Sequence, residues 1–196
     1  MALRLITPPA TMPISLLEAK HHLRVRHDEE DALIETYIAA ATRTCEIFMG
    51  RVLIAQQWEL VLDNFPAQIQ VPLPPLLGVD SFVYDATDGN ESALIEFVHY
   101  FVDDVNQPAW IVPIGGSWPE PIDAVNSVRI KFTAGYLDNN SPRLENIPDD
   151  IKAGVLLTLG SLYAFRETMI SGTIAQAMPW SAEQILRQHR VEISLS

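Results

Sequence analysis

The stretch FMGRVLIAQQWELVLDNF, Phe48–Phe65, decides the fold, because one kind of local order stops inside it and another begins. Upstream of Gly50, the positions Ile34, Tyr37, Ala41, Thr44 and Phe48 recur at steps of three and four, the spacing of one helix face. Gly50 can close that helix in a left-handed conformation, where it meets no Cβ penalty. From Val52 the pattern changes to short runs rich in β-branched and aromatic residues: QWELVLDNF, IQV, DSFVYD, HYFVDD, AWIVPI and SVRIKFTAGY. Segments such as PLPPLLG and IGGSWPEP punctuate them, and Gly89 in ATDGNES marks a hairpin turn. Residues 52–136 therefore read as a small antiparallel β unit.

Toward the N-terminus lies KHHLRVRHDEEDALIE, Lys20–Glu35, with three of the five histidines and four consecutive acids. Ser15 and Glu18 have the spacing of a capping box, which predicts a helix over 16–23. Asp28 reads as the cap of a second helix running to about Met49, with Glu29, Glu30 and Asp31 in a first turn that carries partial positive charge. Lys20, Arg24 and Arg26 then fall in or just after the end of the preceding helix, where cations suit its negative pole. The charges belong to a helix–turn–helix junction.

Toward the C-terminus, Pro148, Asp149 and Asp150 open another helix, and Ile151, Val155, Leu159 and Leu162 carry its apolar face to near Glu167. Ser181 with Gln184 repeats the capping-box spacing ahead of a short helix to about Arg190. The final VEISLS alternates Val191, Ile193 and Leu195 with polar residues. Such a tail either adds a strand to a partner's sheet edge, or pairs with the chain's own β unit, or is simply frayed. The expectation is an α+β protein with a mainly helical core, 14–50 and 147–190, a small antiparallel β insert, 52–136, and a tail, 191–196, in a single domain over 1–196.

Composition narrows the function. With 13 basic and 25 acidic residues, the net charge of -12 repels a phosphate backbone, which argues against duplex binding. The lone Cys45 cannot form an internal disulfide. The opening MALRLITPPATMP has too short an apolar stretch for a signal peptide, and Ala153–Phe165 is too short to span a bilayer, so the reading is a soluble, intracellularly made protein.

As metal ligands the histidines are poorly placed. His21 and His22 point in different directions, His27 and Asp31 share a face only if the helix already includes His27, and no HExxH occurs. DATDGNE fails as a calcium loop, because Tyr84, Ala86 and Ile95 would occupy positions that need oxygen ligands. There is no GxSxG, GxGxxG or GxxxxGK[ST], and Asp103–Asp104 and Asp149–Asp150 read as turn and cap residues. No catalytic residue, metal or cofactor is expected. Trp110, Trp118 and Trp180, near prolines, are either interaction surface or buried loop anchors.

The order of segments resembles the phage head-tail connector, or portal-adaptor, family of long-tailed phages, prophages and gene transfer agents. The segments that carry it are ISLLEAKHHLRVRHDEEDALIETYIAAA, GRVLIAQQWELVLDNFP, WPEP followed by VRIKFTAGY, IPDDIKAGVLLTLGSLYAFRE, and a short helix ending in HRV. The resemblance implies a non-enzymatic virion protein, made in the bacterial host cytoplasm and assembled as a ring, twelve-fold by expectation, beneath the portal. There it would extend the DNA channel and present a platform to stopper or tail-completion proteins. It further implies that the C-terminal end docks on the portal, which points to Arg187, Arg190, Val191, Ile193 and Leu195. The alternatives are another neck component, a stopper or tail-completion protein, or a metal-dependent hydrolase using His21, His22 and His27.

Overall fold

A computed structural model describes residues 1–136, 147–165, 169–170, 173–174 and 178–191. The chain builds two compact units. One is formed by Met1–Ala10 with Ile54–Tyr136, the other by Thr11–Leu53 with the described residues of 147–191.

The first unit is all β. Its five-stranded antiparallel sheet has the order β1 (Ala2–Thr7), β2 (Gln56–Leu62), β8 (Val128–Ala134), β4 (Leu76–Asp85), β5 (Glu91–Ala93). A three-stranded sheet follows the order β3 (Ile69–Val71), β7 (Ala109–Pro113), β6 (Tyr100–Asp103). Register aligns the apolar positions: Leu60 faces Ile130, which faces Phe82, and Trp58 faces Phe132. All five are buried, as period-two alternation in β2 and β8 requires. Phe82 of the larger sheet meets Tyr100 of the smaller at 5.2 Å between ring centroids, and Trp118 stacks on Phe65 at 5.1 Å. This aromatic cluster joins the two sheets of the unit. Gly89, at φ 82°, closes the β4–β5 hairpin, with its N–H donating to the Ala86 carbonyl.

The second unit is helical: α1 (Leu16–Leu23), α2 (Asp31–Met49), α3 (Asp149–Ala164) and α4 (Trp180–Arg187). A two-stranded ribbon, β9 (Met169–Ile170) with β10 (Thr173–Ile174), lies between α3 and α4 in sequence. Ser15 and Glu18 form the expected capping box on α1, and Gly50 caps α2 at φ 67°. The core is built from Ile34, Ile38, Ala41, Cys45 and Met49 of α2, Ile151, Val155 and Leu159 of α3, and Ala182 and Leu186 of α4.

Several expectations need correction. The fold is not mainly helical: helix and strand are equal, about 30% each, because the region after Val52 makes a substantial sheet system rather than a small insert. The N-terminal run ALRLIT is the edge strand β1, and ESA is β5. Helix α2 starts at Asp31, not Asp28; its N-cap is Glu30, with no side-chain capping bond. Its buried stripe is Ile34, Ile38, Ala41, Thr42, Cys45, Glu46 and Met49, rotated from the expected face, so that Tyr37, Thr44 and Phe48 sit at its margin. Helix α3 stops at Ala164, and α4 starts after Pro179, with Ser181 inside its first turn rather than capping it.

Candidate assembly surface

The junction around Lys20–Glu35 is an electrostatic clasp rather than a ligand site. The ammonium of Lys20 donates to Asp28 at 2.5 Å and to Asp31 at 2.6 Å. These bonds hold Lys20 more firmly protonated and keep the Asp28 carboxyl below its ordinary range. Arg24 turns the chain at φ 59° while its N–H caps the last carbonyls of α1. Glu30 accepts from the Tyr163 hydroxyl of α3, fixing the start of α2 to that helix. Among the described residues no cluster of histidine, cysteine and acids could hold a metal. No described helix is long and apolar enough to cross a membrane.

The described part of the expected docking end is held at the C-terminus of α2. The Val191 amide donates to the Met49 carbonyl at 2.8 Å, and Arg51 Nε donates to the His189 carbonyl at 2.5 Å. His189 Nε2 meets Asp150 at 2.6 Å, and this bond lowers the Asp150 carboxyl below its usual range. The Arg190 guanidinium lies over the Phe48 ring, 5.7 Å from its centroid. Arg190 and Val191 are thus brought together, pinned at the exit of α4. Arg187 is separate, exposed on α4 and bonded to Glu183 one turn back at 2.6 Å. Ile193 and Leu195 lie outside the described residues, as does the rest of the alternating tail after Val191.

Trp118 is half-buried and packs as a loop anchor against Phe65 and Phe82, whereas Trp180 is 72% exposed at the start of α4. Trp110 lies within β7, half-buried. An exposed apolar cluster that follows β5 and runs into β6, containing Ile95, Phe97, Val98 and Phe101, is not signalled by strand alternation. The signal it does have is that EFVHYF places apolar residues at both parities, which a strand with one buried face does not need.

Residues 13–76 match the family described as Phage gp6-like head-tail connector protein, a span of about a third of the chain that takes in the first two resembling segments. No curated protein matches the sequence. Among solved structures, the fold is similar to a chain in the neck of an empty GTA particle computed with C6 symmetry, with TM-score 0.77 and 22% identity over 100% of this chain and 99% of that one. A chain in the virion of a native gene transfer agent particle is similar at TM-score 0.78 and 20% identity, again over 100% and 99% of the two chains. Another, in the neck of a native GTA particle computed with C12 symmetry, has TM-score 0.74 and 22% identity over the same shares. The resemblance drawn from segment order is thus met by the head-tail connector family over residues 13–76 and, across the whole chain, by a fold found in gene transfer agent particles.

Proposed function

We propose that this chain is a structural component of a virion neck, a head-tail connector whose copies form a ring and join the capsid to the tail. The observation that carries the reading is the connector-family match over residues 13–76, which covers the first helical pair and its passage into the β unit. Likeness of fold to chains from GTA necks computed with six- and twelve-fold symmetry supports a ring. In this reading the protein is not an enzyme, and DNA passes through the ring without sequence-specific contact. A net charge of -12 suits that passage, since a channel of like sign does not retain the duplex.

The finer assignments follow from the same reading. The chain acts as one adaptor domain in which 54–136 is inserted between the two parts of the helical unit. The portal is bound by the C-terminal end, Arg187, Arg190, Val191, Ile193 and Leu195, and the opposite partner is a stopper or tail-completion protein. Pinning of His189 to Val191 supports this, because a tail leaving from a fixed point loses less freedom on docking than one leaving a frayed helix. The test is to mix the chain with its cognate portal and measure mass by size-exclusion chromatography with light scattering. A complex with a fixed copy number is expected, and Arg190→Glu should weaken it by about tenfold or more. Persistent separate elution of both proteins under assembly conditions would refute the reading.

A further inference from the structure

The exposed apolar cluster of the β unit has the properties of a rigid anchor. Ile95, Phe97, Val98 and Phe101 are 58%, 73%, 60% and 51% exposed within seven residues, and the rings of Phe97 and Phe101 meet edge to face at 6.0 Å. The segment is held by its own hydrogen bonds: Phe97 N–H donates to the Tyr100 carbonyl at 2.8 Å and His99 N–H to the Ile95 carbonyl at 2.8 Å. Phe97 has φ 63°, a left-handed conformation that costs a bulky residue energy and is held here by the hydrogen bonds of the turn. Aromatic side chains fixed in this way are what protein interfaces use as hot spots.

The same unit carries a receptor for such an anchor. A cavity of about 350 Å³ is lined on its apolar side by Leu62, Phe65, Ile69 and Trp110 and on its polar side by Asp63, Asn64, Gln68 and Gln70. It lies against β3, one edge of the three-stranded sheet, whereas the anchor leads into β6, the opposite edge. The side-chain oxygen of Gln70 on this wall is buried without a hydrogen-bond partner. On the anchor side, His99 Nδ1 accepts the Ile95 N–H at 2.9 Å, a further bond that fixes the segment.

We infer that the Phe97 anchor of one copy seats in the Leu62–Phe65–Trp110 cavity of the next copy, a head-to-tail contact made by two different patches of the same chain. A contact of this type repeats from copy to copy and closes into a ring when the rotation per copy divides the circle. Only that closure rests on the neck reading; the contact itself follows from anchor and cavity.

The test uses full-length chains carrying Phe97→Cys or Gln68→Cys and a short bis-maleimide. The lone native Cys45 is buried, with burial pushing its thiol up to about 11, so it does not compete. A mixture of the two variants should give a cross-linked dimer, the double variant a ladder, and each single variant alone neither. Phe97→Asn, which tolerates the left-handed backbone, should weaken self-association by about tenfold or more without lowering the melting temperature. Absence of the mixed cross-link, or dimers from Phe97→Cys alone, would overturn the inference. If instead the chain joins particle necks while the mixed cross-link is absent, the contact fails and the neck reading stands. A ladder from a chain that no portal or particle takes up leaves the contact standing and refutes the neck reading.

Discussion

At the scale of single residues, local hydrogen-bonding chemistry decides which sequence signals are realised. Ser15 and Glu18 cap α1 through reciprocal bonds, the Ser15 hydroxyl accepting from the Glu18 N–H and the Glu18 carboxylate accepting from the Ser15 N–H and hydroxyl. Asp28, by contrast, gives its carboxylate to Lys20, so it caps no helix and α2 begins three residues later. Ser181 is displaced from the cap position by Pro179, whose fixed φ already sets the entry to α4. Cys45 lies deep in the helical core, its Sγ 3.5 Å from the Thr158 hydroxyl, and burial raises its thiol to about 11 from an ordinary 9.0. It should therefore resist a thiol reagent at neutral pH in the folded protein and react at once in denaturant, as a labelling time course will show. Because the unfolded thiol ionises first, this group's contribution to stability is lost as pH rises from about 9 to about 11. Asp85 behaves in the opposite sense: its bond to Arg129 holds the carboxyl below its ordinary 3.8, giving stability that is present above that pH and lost as pH falls through the lower folded value. Asp85→Asn should flatten that part of the acid limb in a melting-temperature profile.

At the scale of elements, two glycines fix how neighbouring pieces approach. Gly135 ends β8 at φ 123°, and a Cβ there would stand 2.5 Å from the Ile54 carbonyl oxygen, a backbone atom that cannot swing away. Gly135→Ala should destabilise the β unit by more than about 2 kcal/mol in chemical denaturation, from strain and clash together. Gly154 lets α4 lie close on α3: an added Cβ would come within 2.6 Å of the fully buried Leu186 side chain. Gly154→Ala should cost about 1–3 kcal/mol by overpacking. The sequence made the central strands legible, since β2 and β8 alternate cleanly and Gly89 stands in the hairpin turn. It hid β1, whose six residues are all exposed, because an edge strand with no buried face leaves no periodic signal. The face of α2 was misjudged for a related reason. Thr42 and Cys45 are core residues there, and Phe48 packs under Arg190 at the margin, so hydropathy alone pointed one residue off.

At the scale of the whole molecule, the weight of the β unit is what the sequence obscured. Short strands separated by prolines look like an ornament on a helical core until register shows five of them hydrogen-bonded in one sheet, with Leu60, Ile130 and Phe82 in a buried row. The functional reading was legible through segment order, and the connector-family match over residues 13–76 covers the part where that order is densest. The anchor at Phe97 was not, because exposure and backbone strain are properties of the folded chain. The proposed assembly of the chain into a neck ring on a portal is tested by the mass and symmetry of the complex formed when the full chain is mixed with its cognate portal, by light scattering followed by electron microscopy of the same fraction. The expected result is a ring of this chain on the portal, twelve-fold by expectation, whose formation Arg190→Glu weakens. A portal that remains bare in the presence of excess folded chain would contradict it.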